Sequence, residues 1–192
     1  MIFQATYSLP SVDTREVLRY AGCREEDAAL AALLREAVSQ AEAVLRCGVC
    51  WRKLPVTISG SVCDFGSFSV TSQKLALHLQ DCRQVLLLAA TVGVGLDRLI
   101  ARTVRLSPAR ALLLQAIGTE RIEALCDVFC AELSNRYGSL TSRFSPGYGD
   151  LPLTCQKEIF SLLECEKRIG LTLTESLLMS PSKSVTAFVG IR

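Results

Sequence analysis

Gln84-Val85-Leu86-Leu87-Leu88-Ala89-Ala90-Thr91 runs directly into Val92-Gly93-Val94-Gly95, and a helical pattern then continues to about Leu106. The apolar run is continuous and bounded by turn residues, which suits a strand buried in the middle of a sheet. A strand, a Gly-x-Gly and a helix also open a dinucleotide-binding unit. Two parts of that fingerprint are missing. Arg98 stands where the third glycine belongs, and no acid closes a second strand about 20 residues on, because that region reads as helix. The glycines are read as closing a strand-to-helix turn.

Upstream of this strand, Asp13-Thr14-Arg15-Glu16 is a capping-box pattern that predicts a short helix ending near Gly22. Glu25 to Arg46 has apolar residues at helical spacing and predicts a long helix stopped by Gly48. Leu54 to Ile58 alternates as a strand, with Pro55 pointing to a sheet edge. Phe65 to Val70, around Gly66, predicts a hairpin partner, and Ser72 caps a short helix to Leu79. Downstream, Ser107-Pro108 starts a helix that runs to Tyr137 and stops at Gly138, with Gly118 as a possible bend. A helix from about Leu153 to Glu166 and a strand from Ser184 to Ile191 complete the pattern.

Strands and helices mix without regular β-α-β alternation. The fold class is therefore α+β, a mixed or mostly antiparallel twisted sheet with several helices. At 192 residues one domain is expected, with a helical N-terminal part (1–48) and a sheet-containing core (49–192).

Net charge is +2, and the arginines Arg98, Arg102, Arg105 and Arg110 lie on predicted helix as a solvated face. Nucleic acid is not an expected partner, since aromatics are only 6% and offer no stacking platform. No membrane partner is expected either. The longest apolar uncharged run, Val85 to Leu96, has 12 residues, against about 20 for a spanning helix. Met1-Ile2-Phe3-Gln4 runs into Tyr7 and Pro10 without a signal pattern, so a cytoplasmic location is expected.

Nine cysteines without a signal peptide argue against disulfides. Cys47-Gly48-Val49-Cys50 is a Cys-x-x-Cys, but no second pair offers zinc spacing and the only histidine is His78. A thiol redox site would open a helix, whereas this one follows a helix and precedes a strand. Small buried thiols are the preferred reading, and no metal site is expected.

One stretch carries chemistry: Arg143-Phe144-Ser145-Pro146-Gly147-Tyr148-Gly149-Asp150. Pro146 and Gly147 make a tight turn whose backbone groups can bond a ligand. Arg143 can grip a carboxylate or phosphate with two parallel hydrogen bonds, and Tyr148 adds a flat face with a polar tip. No nucleophile–base set is evident near it.

The Arg-x-x-Pro-Gly-Tyr signature resembles the activation domain of cobalamin-dependent methionine synthase, and most closely its small stand-alone members. Leu173-Thr174-Glu175-Ser176, Met179, Pro181, Ser184-Val185 and Glu164-Cys165-Glu166-Lys167 before Gly170 are similar to the same family over about residues 120–190. The resemblance implies an activation-domain-like fold and a site for S-adenosylmethionine (AdoMet). In that site Arg143 takes the α-carboxylate, and the Ser145, Pro146, Gly147 and Tyr148 backbone takes the adenine edge. In Arg121-Ile122-Glu123-Ala124-Leu125 it places the acid for the cationic groups on Glu123, with Asp127, one turn on, as runner-up. Arg143 should then point into a cleft, with Glu123 within about one ligand length.

The resemblance also implies a non-autonomous reactivation subunit. Such a subunit supports reductive remethylation of cob(II)alamin, the cobalamin being carried by a partner's cobalamin-binding domain. The electron comes from flavodoxin or another one-electron donor. The chain departs from the family at Gly149-Asp150-Leu151-Pro152, and the family's N-terminal aspartate ligand and late tyrosine have no counterpart. Two alternatives follow: a corrinoid-protein binding or assembly module without AdoMet activity, and a thiol redox protein using Cys47 and Cys50.

Overall fold

The structure, a computed structural model, describes residues 1–23 and 27–192. Four strands form the central sheet: β1 (Ile2–Thr6), β2 (Gly48–Pro55), β6 (Gln84–Thr91) and β9 (Ser184–Ile191). Their order is β1-β2-β6-β9 and every pairing is antiparallel. The α+β expectation therefore holds. The continuous apolar run of β6 does not signal a parallel strand; it signals burial on both faces. Leu86, Leu88 and Ala90 enter one core, and Val85, Leu87 and Ala89 enter the other. Each fully buried leucine stabilises the fold by about 1.5–3 kcal/mol.

Four helices cover the first face: α1 (Thr14–Ala21), α2 (Ala28–Val44), α4 (Val94–Thr103) and α5 (Pro108–Tyr137). The 30-residue α5 is about 45 Å long and runs unbroken through Gly118. A Cβ at Gly118 would stand 2.6 Å from Leu96 Cδ2 and 2.8 Å from Lys183 Cγ, so this glycine serves close helix packing. The second face carries α3 (Gln73–His78), α6 (Gln156–Leu163), α7 (Cys165–Ile169) and a small sheet of β3 (Thr57–Ser59), β4 (Val62–Asp64) and β5 (Ser69–Thr71). β7 (Thr172–Leu173) and β8 (Met179–Ser180) form a separate pair.

Several local expectations need correction. Pro55 is no edge marker: it is the last residue of β2, which lies between β1 and β6. Residues beyond it belong to the small sheet, where Phe65 to Phe68 is the turn of the β4–β5 hairpin. The long helix, expected to reach Arg46, ends at Val44 with Leu45 as its cap, and Gly48 opens β2. Glu25 and Glu26, at its expected start, lie outside the described residues. The helix expected over 153–166 is a 3₁₀ turn (Leu153–Cys155), then α6, and it breaks at Glu164, which sits at φ 50° before α7.

Asp13 caps α1, but the capping box is not reciprocal. Glu16 pairs with Arg19, and the Asp13 N–H instead donates to Glu120 on α5 at 3.2 Å. Glu120 and Arg121 form a buried ion pair, and Arg121 also donates to the Pro10 carbonyl at 2.5 Å. This pair holds the segment before α1 against α5. Among the described residues no helix is long and apolar enough to cross a membrane.

Candidate functional site

Gly138, at φ 86°, ends α5 and turns the chain back along the outer edge of β9. The Arg192 N–H donates to Ser139 O and the Thr141 N–H to Gly190 O, both at 2.9 Å. Phe144 and Phe188 exchange two backbone bonds of 2.9 Å. Residues 139–144 thus lie on the sheet edge like a short extra strand, and their side chains alternate. Phe144 enters the core on the α3–α6 side, and Arg143 points the other way, to α5.

Glu123 and Asp127 meet Arg143 there. They stand four apart on α5 and so share a helix face. Arg143 Nη2 donates to Glu123 Oε2 and Nη1 to Asp127 Oδ1, both at 2.6 Å. The Arg143 side chain is 22% exposed, Glu123 44% and Asp127 72%. Burial works against the Arg143 charge, but the bond to Asp127 and the neighbouring negative groups outweigh it and hold the guanidinium above its ordinary range. Burial also pushes the Cys126 thiol up to about 12 and raises that of Cys130, so both flank the cluster as neutral thiols. Asp127, Cys130, Thr141, Ser142 and Arg143 line a cavity of about 400 Å³. Arg143 therefore faces a concavity, and Glu123 is in direct contact with it.

The turn beyond Arg143 is more closed than its sequence implies. Pro146 is buried, and Gly147 sits at φ 85°, which favours glycine. The Gly147 N–H donates to Leu151 O at 2.9 Å and the Tyr148 N–H to Ser145 O at 3.1 Å. Two of the amides expected to read an adenine edge are thus taken inside the loop. Among the described residues no donor reaches the carbonyl oxygens of Pro146 or Gly147, and these stay available as acceptors. Tyr148 is exposed and meets the Phe144 ring edge-on at 5.3 Å.

Two residues that hold the loop were given no role in it by the sequence. The Asp150 carboxylate accepts from Ser72 Oγ at 2.5 Å, Gln73 N at 2.7 Å and Lys74 N at 3.2 Å. It therefore ties the far end of the loop to the N-terminus of α3, where a negative charge is favoured. These bonds hold the Asp150 carboxyl below the ordinary aspartate range, the Ser72 hydroxyl being the main cause. His78, the only histidine, bonds through Nε2 to the Ser142 carbonyl oxygen at 2.8 Å and lies against Phe144. A Ser72 cap is legible in the sequence; its partner Asp150, 78 residues away, and the Ser142 partner of His78, 64 residues away, are not.

The Cys-x-x-Cys is divided by the sheet. Cys47 lies in the α2–α5 core and Cys50 in the α6–α7 core, because positions three apart along a strand face opposite sides. They do not form a vicinal pair. Cys50 instead shares its core with Cys165. The Glu164-Cys165-Glu166-Lys167 stretch lines another cavity of about 620 Å³, which shares no residue with the one at Arg143.

Residues 130–191 match the family described as the vitamin B12 dependent methionine synthase, activation domain. The whole chain also matches the fold of a solved structure, the crystal structure of the MetH reactivation domain bound to AdoHcy. That match has a TM-score of 0.74 at 17% sequence identity and covers 100% of this chain and 78% of the other. The resemblance read from the motif is met by both comparisons: in family over the last third of the chain, in fold over its whole length. Arg143 to Tyr148 fall inside the matched residues, and Glu123 and Asp127 fall just before them.

Proposed function

We propose that this chain, activation-domain-like over residues 130–191 and reactivation-domain-like in fold, binds AdoMet beside Arg143 and serves a cobalamin-dependent methionine synthase or related corrinoid protein. The observation that carries this reading is the meeting of Arg143 with Glu123 and Asp127 at the root of the Pro146-Gly147-Tyr148 turn. One guanidinium and two carboxylates sum to one negative charge. AdoMet, with a carboxylate, an ammonium and a sulfonium, carries one positive charge, so the cluster and the ligand complement each other. The homologous structure holds AdoHcy, which is AdoMet without its transferable methyl.

In this reading Arg143 holds the α-carboxylate and Glu123 the α-ammonium. The Pro146 and Gly147 carbonyls accept from the adenine amino group, and Tyr148 packs against the base. When bound, AdoMet supplies a methyl group for the cobalt of a partner's cobalamin, with the electron from flavodoxin or a similar donor. The chain's own task is to hold and orient the donor, a proximity effect. No side chain at the site is asked to act as nucleophile or base.

A second reading is a corrinoid-protein docking module that does not take AdoMet. It is favoured by one observation: Glu123 and Asp127 already bond both terminal nitrogens of Arg143. Calorimetric titration with AdoMet and AdoHcy separates the two. Saturable one-to-one binding of either ligand supports the first, and no heat at millimolar ligand supports the second.

A further inference from the structure

The Arg143 fork is shared between two carboxylates that differ in what they cost to release. Asp127 is 72% exposed and lines the cavity beside Arg143; Glu123 is 44% exposed and does not line it. Each takes one terminal nitrogen at the same 2.6 Å. Each terminal nitrogen keeps a second N–H, so a ligand carboxylate can bond the fork beside both acids, but three negative groups then share one positive charge, and that repulsion is relieved when one acid lets go. An exposed carboxylate recovers most of its hydration when it does so, and exposed ion pairs are worth little. A less exposed one recovers less.

We propose that Asp127 is an internal competitor that sets the affinity and selectivity of this site. An incoming α-carboxylate displaces it from Arg143 Nη1, while Glu123 keeps its place to pair the ligand's ammonium. The inference rests on the proposed AdoMet reading and goes further, because it assigns the two acids opposite effects. Neutralising Glu123 removes an attraction. Neutralising Asp127 removes a rival. The competition also acts as a filter: only a ligand that brings its own carboxylate gains from the release.

The test uses AdoHcy, a neutral zwitterion, so that the overall charge of the variants does not confuse the result. A companion probe, 5′-methylthioadenosine, keeps the nucleoside and the sulfur but lacks the amino-acid end. Titration of both into wild type, Asp127→Asn, Asp127→Ala and Glu123→Gln, with thermal melts on each, gives the readout. Asp127→Asn is expected to bind AdoHcy about threefold to tenfold more tightly, and Asp127→Ala at least as tightly. Glu123→Gln is expected to bind it more weakly. Binding of 5′-methylthioadenosine is expected to be the same in wild type and both Asp127 variants.

A gain of affinity cannot come from simple damage to the fold, and the two Asp127 variants guard against one of them failing to fold. Binding seen only after Asp127 is neutralised also supports the proposal. If wild type binds AdoHcy and neither Asp127 variant binds it more tightly, Asp127 is no competitor, and the AdoMet reading stands without it. If the gain extends equally to 5′-methylthioadenosine, the filter is wrong and the proposal falls. If no protein binds either probe, this inference and the AdoMet reading fall together.

Discussion

The two ends of one loop are held in opposite ways. At the near end, Arg143 is mostly buried and its partners are two side chains, Glu123 and Asp127, each of which can rotate away. At the far end, Asp150 is exposed, yet two of its three partners are the backbone amides of Gln73 and Lys74 at the start of α3. Backbone amides cannot swing out of reach. The difference teaches that burial is a poor guide to which contact is fixed. The exposed carboxylate anchors the loop, and the buried guanidinium holds contacts that can be exchanged for a ligand.

The largest effect expected from this contrast is at Arg143. Arg143→Ala should weaken AdoMet binding by about tenfold to several hundredfold, since two charge-assisted bonds are lost, and Arg143→Lys should fall between. The same change should cost stability. An exposed arginine would be removed within about 0.5 kcal/mol, but here Glu123 and Asp127 are left facing one another. A loss of about 1–2 kcal/mol by urea unfolding is expected. Unchanged affinity with lost stability would make Arg143 an anchor like Asp150 and erase the contrast.

At the far end the expected effect is smaller. Asp150→Ala should release the loop from α3 and weaken AdoMet binding by about threefold to tenfold, with Asp150→Asn closer to wild type because asparagine also caps helices well. The anchor has a pH signature. The Asp150 carboxyl is held below its ordinary range in the folded protein, so its charge stabilises the fold above the unfolded aspartate value and ceases to do so as pH falls through the lower folded value. The melting-temperature gap between wild type and Asp150→Asn should therefore shrink as pH drops below about 4. A gap that is constant down to pH 2 would mean that the charge of Asp150 plays no part.

How much of this was legible in the sequence follows from the range of the forces involved. Gln84–Thr91, Pro108–Tyr137 and Ser184–Ile191 were read at their observed bounds, because a continuous apolar run or a Ser-Pro start with a Gly stop is a local signal. The four-stranded order was not readable, since β1 pairs with a strand more than 40 residues on and β7 and β8 have two residues each. The motif identified Arg143, and its pairing with Glu123 and Asp127 follows from α5 returning past the sheet edge. Asp150 was legible as a departure from the family pattern, but its role was not, because its partners lie on α3. Cys47 and Cys50 were misleading as a pair only until β2 was seen to begin at Gly48, which sends them to opposite faces.

The smallest effect is expected there. Cys47→Ala and Cys50→Ala should each leave AdoMet affinity within about twofold, with a stability loss of about 1 kcal/mol for the buried thiol removed. A tenfold loss of binding in either variant would restore a functional role to these thiols.

The central claim is that the loop between Arg143 and Asp150, with the acids of α5, forms the site for the amino-acid and adenine ends of AdoMet. A crystal structure of the protein with AdoHcy tests it most directly. The account predicts the ligand carboxylate within hydrogen-bond distance of the Arg143 guanidinium, Glu123 on the ammonium, and the adenine amino group on the Pro146 or Gly147 carbonyl. AdoHcy seated instead in the cavity lined by Phe160, Glu164 and Lys167, with Arg143 still bonded to both Glu123 and Asp127, would contradict it.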